Sequence, residues 1–563
     1  MYEIYNNLSD VKIATDEALM VDTETIGLYG KIALVQFYQK SWDKAILVKF
    51  PCPIELIGIL QCTTCVFHNA SYDISTIQDN LGKHPFVPKS FDDTMYLSRL
   101  YYYDKEKFSL DKCIEYATGN NPYDNLEESK KALQSSKWDG DLTEQQLTYA
   151  AYDVIYMQKL YDVVKEVKED KSYKLDIVTL KGFLNMQCNG LPVDEDRRLA
   201  RLSSNNITID KIDMPINVNS YQQVRPYIGS ELSDALGLAK LAAEGNTKAA
   251  DVNTVRKLKK ENSFLKKFEA DKIFGKFAPS ARSGRSTCKD QNLQQLPRST
   301  KECFGVKPNS GKVLIYSDFS QLELRAIAAI TKDRIMYNLL KDDQDLHGYT
   351  AKKIFKTTDF TKSQRTISKT CNFNLLYGGG HVVLQNILLK SYGISISEEE
   401  ALNISKDWKK LYSDIKAWQD KGIAAWRRGQ PWSTPLGRQY KAKMMTDQLN
   451  IQVQGMGAEV AKLANYYINL DFEKEAESDI NFADWKKWQV NFIHDSYKFI
   501  VDDNVKLYTK VSKIIARNMQ EAWFEMSANC KANDIPMPVQ VFVGHNWGDI
   551  EADNSKYIYK YEI

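Results

Sequence analysis

Along the first 170 residues, short apolar runs (ALMVDTE, KIALVQFY, KAILVKF, TTCVFHN) alternate with amphipathic stretches. Runs of that length predict strands and the stretches between them helices, so this part reads as an α/β domain that leads with its strands. From about Leu175 the apolar positions turn to helical spacing, and LNMQCNGLPVD (184–194) predicts a helix closed at Gly190 with Pro192 just beyond. Residues 195–290 read as helical, polar and increasingly basic, through Lys248, Arg256, Lys257, Lys259, Lys260, Lys266, Lys267, Lys272 and Lys276. The remainder, 300–563, mixes strands with long helices. No internal repeat and no low-complexity linker interrupts the chain, and 563 residues exceed what one core can organise, which predicts two to four domains.

Composition adds one informative feature. With 43% apolar and 26% charged residues the chain is of ordinary globular type, and it lacks any run of roughly 18 uncharged apolar residues that a membrane span needs. The polar, acidic N-terminus has neither a signal-peptide core nor the Arg/Ser character of a transit peptide, so a cytoplasmic protein is expected. Nine scattered cysteines fit a reducing compartment, and the pair Cys62/Cys65 has no second pair at zinc-like spacing. The net charge of +2 hides an asymmetry. Residues 1–170 hold 17 of the 75 Lys/Arg and 27 of the 73 Asp/Glu, leaving 58 against 46 in the remainder. An acidic module beside one that faces a polyanion is the implied arrangement.

Two groups of carboxylates carry candidate chemistry. Asp22 and Glu24 sit two apart on a predicted strand and so share a face. Asp73 follows in FHNASYDIS, and Tyr149 and Asp153 stand four apart on a predicted helix. Taken singly, each is an ordinary solvated position. If they converge, four carboxylates need bound divalent metal, and two hard cations so held suit phosphodiester hydrolysis, with Tyr149 placed to orient the water. Further on, KVLIYSDFSQLELRAIAAI (312–330) predicts a buried strand ending in Asp318 and a helix that Ser320 could cap. WQVNFIHDSYKFIVDD (488–503) predicts a β-hairpin with His494 and Asp495 at its turn. Each aspartate alone reads as a turn former; at the ends of adjacent strands the two would make a second two-metal site, suited to phosphoryl transfer. Between them, TKSQRTISKTCNFNLLYGGG (361–380) has capping-box spacing at Thr361 and Gln364 and ends in three glycines. Arg365, Lys369, Phe373 and Tyr377 at four-residue intervals predict one helical face with two cations for a triphosphate and two aromatics for a sugar and base. A core face with solvated cations is the alternative for such a helix in isolation.

Taken in order, these segments resemble a known family. DTET, NASYD and YAAYD are similar to the three motifs of the tyrosine-bearing DEDD-type 3′→5′ exonucleases, and SFDDTMYLSRL (90–100) to the segment between the last two. DFSQLELR, RTISKTCNFNLLYG and HDS resemble motifs A, B and C of the DNA polymerase I family (family A). SGRSTCKDQNLQQLPR (283–298), DLHGYTA (345–351), TPLGR (434–438), NIQVQGMGAEVAK (450–462) and GHNWGD (544–549) resemble further signatures of that family. The resemblance implies a multi-domain α/β and α+β fold: an RNase H-like exonuclease domain over 1–170 and a right-hand polymerase domain over 171–563. Within the latter it places a thumb at about 195–290, a palm at about 291–330 and 430–563, and fingers at about 331–429. It implies template-directed DNA synthesis with proofreading, and two Mg²⁺ ions at each site with Mn²⁺ as a substitute. The exonuclease ions fall to Asp22, Glu24, Asp73 and Asp153, with Tyr149 assisting the water, and the polymerase ions to Asp318 and Asp495. Arg365, Lys369 and His347 are implied to contact the triphosphate, Glu323 to exclude a 2′-hydroxyl, Phe373 to meet the sugar and Tyr377 the templating base. Arg285, Gln454 and Asn450 are implied to probe the minor groove, with Gln321 and His494 among the substrate-binding positions.

Three positions depart from the family pattern: Ser496 where glutamate is usual, Asn374 for a glycine, and Thr446 for a basic residue. The expected partners are primer–template DNA, dNTPs and replisome proteins (helicase–primase, single-strand-binding protein) or a processivity factor, with no membrane. The absence of a 5′-nuclease domain and the short thumb resemble bacteriophage replicative polymerases, placing the protein in the host cytoplasm or nucleoid. The rival readings are a nuclease with a degenerate DNA-holding half, a non-catalytic scaffold, and a single-subunit RNA polymerase. The first two conflict with the intact Asp318, Asp495, Arg365 and Lys369, the third with Glu323 and the exonuclease half.

Overall fold

The computed structural model describes residues 1–551 and the backbone of the strand Tyr559–Glu562. The N-terminal apolar runs form a six-stranded mixed sheet in the spatial order Tyr2–Tyr5, Ala45–Lys49, Lys31–Tyr38, Leu19–Ile26, Cys65–Phe67, Phe91–Asp93. The central strand Leu19–Ile26 is buried along most of its length, as its unbroken apolar start requires. The helix Glu144–Val164 packs across it and across Lys31–Tyr38 and Ala45–Lys49 beside it. That helix begins at a complete capping box: Gln146 N–H donates to Thr143 Oγ1 at 3.2 Å, and Thr143 N–H donates to Gln146 Oε1 at 2.8 Å.

A second, antiparallel sheet runs in the order Gln489–Ile493, Ser496–Asp502, Lys312–Phe319, Val539–Gly544, Tyr559–Glu562. The long helices Met445–Ala476 and Val505–Ala528 share one core with it. A third, small core (Val218, Val224, Ile228, Leu238, Ala249, Val252, Val255) lies among the helices of the lysine-rich segment, which therefore forms an arm of its own. The helix Lys171–Met186 packs on both larger units. Its Asp176 accepts from Arg438 and Lys462, each at 2.7 Å, while its Leu184 carbonyl accepts from Gln78 at 2.9 Å.

Several local expectations change. The helix expected to close at Gly190 ends at Met186, and Gly190 (φ +70°) instead turns the chain into the short strand Leu191–Pro192. A Cβ there would lie 2.6 Å from the Phe274 ring, so both backbone angle and space call for glycine. The helical reading of 195–290 holds only to Phe268, because Lys272–Ile273, Gly275–Ala278 and Thr287–Asp290 pair as strands. Lys272 and Lys276 stand four apart, a spacing that a helix also suits, so the lysine run hides these strands. Ser320 does not cap the following helix. Its N–H still pairs with the Pro538 carbonyl at 3.0 Å, so the sharp turn falls at Gln321 (φ +56°) and the helix starts at Leu322. All nine cysteines are free thiols. Among the described residues no helix is long and apolar enough to cross a membrane.

Candidate active sites

The first carboxylate group converges. Ligand oxygens of Asp22, Glu24 and Asp153 lie within 4.8 Å of one another, and all three line a cavity of about 920 Å³ together with Asp73 and Tyr149. Each element is set by local chemistry. The strand presents Asp22 and Glu24 on one face, and the capped helix presents Tyr149 and Asp153 one turn apart. Asp73 rides on the helix Ala70–Asn80, whose preceding residue Asn69 adopts φ +75°. That left-handed entry is held by Asp93, whose carboxylate accepts from the N–H of Asn69 at 3.1 Å and of Ala70 at 2.7 Å. Thr23 Oγ1 donates to Asp73 at 2.8 Å. Burial, then mutual repulsion, pushes the Asp22 and Glu24 carboxyls well above the usual range. Burial also raises Asp73 and Asp153.

Three residues in or beside this cavity escape the sequence pattern. The Tyr123 hydroxyl donates to Asp153. Lys130 lines the cavity, with its ammonium 2.6 Å from Asp111 and 4.9 Å above the Tyr123 ring, and it draws the neighbouring carboxyls back toward ionisation. Leu28, 78% exposed, lines the same cavity. The signal for Tyr123 and Lys130 is weak, since both lie between motifs in a polar loop region without periodicity.

The second pair is joined by the antiparallel sheet. Asp318 is paired in register with Ser496, one residue beyond the hairpin turn His494–Asp495. His494 takes φ +54° there, and the Ser496 hydroxyl donates to the Ile493 carbonyl at 3.1 Å across the turn. The Tyr316 hydroxyl donates to Asp318 Oδ2 at 3.1 Å, while Asp318 Oδ1 is buried with no partner among the described residues. Burial, then the Asp495 charge, raises the Asp318 carboxyl; burial, then Glu323, raises Asp495. Beneath them Lys498 is fully buried, 4.2 Å over the Trp547 ring and 4.7 Å over the Tyr316 ring, and burial lowers its pKa to about 7.

Asp495 opens onto a cleft of about 490 Å³ that it lines with Arg285, Gln321, Glu323, His347, Arg365, Lys369, Phe373 and His494. The helix Lys362–Asn374 begins with the Thr361/Gln364 capping box and carries Arg365, Lys369 and Phe373 along one side. Arg365 is held by Asp345 through bonds of 2.9 and 3.2 Å. Arg285 pairs with Glu323. Tyr377 lies beyond the helix, which stops at Asn374 ahead of Gly378 (φ +76°), yet it shares an adjoining cavity with Lys369, Phe373, Asn374 and Thr446. Its hydroxyl is buried beside Glu323 and Gln454 without an aligned bond to either. Asn450 and Gln454 stand half-buried on the helix Met445–Ala476, outside the cleft lining.

The comparisons with known proteins agree with this division. The model of DNA polymerase family A matches residues 197–549, and a 3′-5′ exonuclease model matches residues 3–167. The chain is 26% identical to DNA polymerase I of Aquifex aeolicus over 582 aligned positions, 94% of this chain and 95% of that protein. It is 25% identical to the DNA polymerase of Mycobacterium phage D29, covering 79% of this chain and 83% of the phage protein. Against DNA polymerase I of Borreliella burgdorferi the identity is 22%, over 86% of this chain but 55% of that protein. The polymerase domain of Pol1 from M. smegmatis, solved with a DNA primer–template and dNTP, shares the fold with a TM-score of 0.75 at 17% identity, over 96% of this chain and 97% of that one.

Proposed function

Because the chain belongs to DNA polymerase family A and carries a 3′-5′ exonuclease domain ahead of its polymerase domain, we propose that the two carboxylate sites divide synthesis and proofreading of one primer strand between them. In this reading residues 1–170 are the exonuclease domain and 171–563 the polymerase domain. The thumb is at about 195–290, the palm at about 291–330 and 430–563, and the fingers at about 331–429. The observation that carries it is the single cleft in which Asp495 faces Arg365, Lys369 and His347, with Asp318 on the adjacent strand.

The donor sets fit divalent cations. Among the described residues Asp318 Oδ1 is buried and unpartnered, and Asp22, Glu24 and Asp153 crowd hard oxygens within 4.8 Å of one another. Two Mg²⁺ ions, with Mn²⁺ as a substitute, would be held by Asp318 and Asp495, and two more by Asp22, Glu24, Asp73 and Asp153. When bound they supply acidity to the attacking oxygen and neutralise charge on the leaving one.

The chain's own groups do the rest. Arg365 and Lys369 receive the triphosphate, with Asp345 holding Arg365 until the anion arrives. Glu323, pinned by Arg285, fills the space a 2′-hydroxyl needs. Phe373 faces the sugar and Tyr377 the templating base, with Gln321 and His494 completing the cleft. Arg285, Gln454 and Asn450 meet minor-groove acceptors that every base pair offers, testing pair shape without reading sequence. At the other site Tyr149 orients water, Lys130 gives the phosphate backbone a cation, and Leu28 offers an apolar face to the terminal base. Primer–template DNA and dNTPs are the substrates, with replisome proteins or a processivity factor as partners. The similarity to the phage D29 polymerase supports a phage replicative role in the host cytoplasm. A dNTP titration of Lys369→Ala tests the cleft: the KM for dNTP rises about tenfold or more if one charge-assisted bond is lost. An unchanged KM contradicts the assignment.

A further inference from the structure

The indole N–H of Trp408 donates to Asn372 Oδ1 at 2.7 Å, and both side chains are fully buried. An indole nitrogen only donates, so the amide oxygen must face Trp408 and the NH₂ must face the other way. On that side Nδ2 lies 3.0 Å from His347 Nδ1 and 3.1 Å from Thr350 Oγ1. Thr350 spends its own hydrogen on the Leu346 carbonyl at 2.7 Å, and the Tyr412 hydroxyl, also at 2.7 Å, is left to donate to it. The amide therefore donates in both directions, and a donor facing Nδ1 requires a lone pair on that nitrogen.

We propose that Asn372, locked by Trp408, is a positioning residue that holds His347 as the neutral Nε2–H tautomer and so turns a hydrogen-bond donor toward the triphosphate cleft. His347 lines that cleft, and among the described residues its Nε2 has no protein partner. The opposite tautomer would aim a lone pair at phosphate oxygens. An imidazolium would set an Nδ1 hydrogen against those of the amide, so Asn372 opposes protonation as well. Burial and the facing cations Arg365 and Lys369 act in the same direction and Asp345 against it, lowering the His347 pKa to about 4. Asn372 itself touches no substrate, being enclosed by Trp408, Thr350 and His347.

The inference rests on the proposed contact between His347 and the triphosphate, and the test separates the two. In protein labelled with ¹⁵N-histidine, the His347 signals are assigned by their loss in His347→Gln. The expected wild-type spectrum at neutral pH shows an unprotonated Nδ1 and a protonated Nε2. In Asn372→Asp the carboxylate accepts from Nδ1, so the proton moves there; the KM for dNTP rises about tenfold and becomes pH-dependent. Trp408→Phe keeps the amide but frees it to rotate, giving mixed tautomers and a smaller rise, and it serves if the aspartate variant does not fold. A wild-type Nδ1–H tautomer, or one unchanged in both variants, overturns the lock. An unchanged KM in His347→Leu, which has no donor, overturns the functional half, since the oriented donor then has no triphosphate to meet.

Discussion

Asp176→Asn isolates the buried contact that joins the helix Lys171–Met186 to the segments carrying Arg438 and Lys462. The Asp176 carboxylate accepts from Arg438 and Lys462 at 2.7 Å each, with side-chain exposures of 1%, 5% and 1%. Nearby, Glu459 accepts from the Thr434 hydroxyl and the Leu436 N–H and burial raises its pKa to about 7, and the charge of Asp170 acts on Arg438 as well. Removing the Asp176 charge therefore leaves both buried cations without the carboxylate they share. Breaking a buried pair in this way costs about 3–5 kcal/mol. In a unit of about 390 residues, whose unfolding entropy is about 0.8 kcal/mol/K, that corresponds to a fall of roughly 4–6 °C in Tm. Lys462 can shed its proton, as its lowered pKa indicates, while Arg438 cannot. The loss should therefore shrink as pH rises. Urea and thermal melts of Asp176→Asn, followed at two pH values, measure both effects. The combined replacement Asp176→Leu, Arg438→Met, Lys462→Met should recover most of the loss. A destabilisation of Asp176→Asn below about 1 kcal/mol would falsify the reasoning, because it would mean water or Glu459 already balances the cations.

Three further outcomes follow from the geometry. Lys130→Ala should slow digestion of single-stranded DNA about 10- to 100-fold with primer extension unaffected, by loss of one charge-assisted phosphate contact; equal exonuclease rates contradict the role given to Lys130. Gly455 packs so close to Thr434 that a Cβ would lie 2.3 Å from its Cγ2, so Gly455→Ala should cost about 1–3 kcal/mol in melts, and an unchanged Tm refutes that reading. In chelator, the raised pKa values of Asp22, Glu24, Asp73 and Asp153 mean that the folded state binds more protons than the unfolded one. Stability then falls as pH climbs from the ordinary carboxylate range near about 4 through the folded values. The exonuclease unit should accordingly melt lower at about pH 8 than at about pH 5.5, with Mg²⁺ restoring more at the higher pH; a Tm that rises with pH in chelator contradicts this.

The sites were legible where chemistry and local spacing coincide. Asp22 and Glu24 on one strand face, Tyr149 and Asp153 on a capped helix, and Arg365, Lys369 and Phe373 behind the Thr361/Gln364 box needed only periodicities of two and 3.6 residues. What escaped depends on contacts between distant segments. Asp93 fixing Asn69, Tyr123 reaching Asp153, and Asp176 between Arg438 and Lys462 have no spacing to betray them. Lys498 sits mid-strand where an apolar residue suits the pattern, and the enclosing Tyr316 and Trp547 rings, the Ser496 hydroxyl at 3.4 Å and the charges of Glu551, Asp318 and Asp495 make its burial tolerable. The turn at Gln321, where Ser320 looks like the cap, and the strands within 272–290 do not show in local pattern, because tertiary pairing extends backbone that local propensity ends or coils.

The central claim is that two separate carboxylate sites serve one primer strand. Extension of a labelled primer–template in Mg²⁺, with and without dNTPs, tests it beside Asp318→Ala and Asp22→Ala. The account predicts that the wild type extends with dNTPs and degrades without them, that Asp318→Ala only degrades, and that Asp22→Ala only extends. Undiminished extension by Asp318→Ala would contradict it.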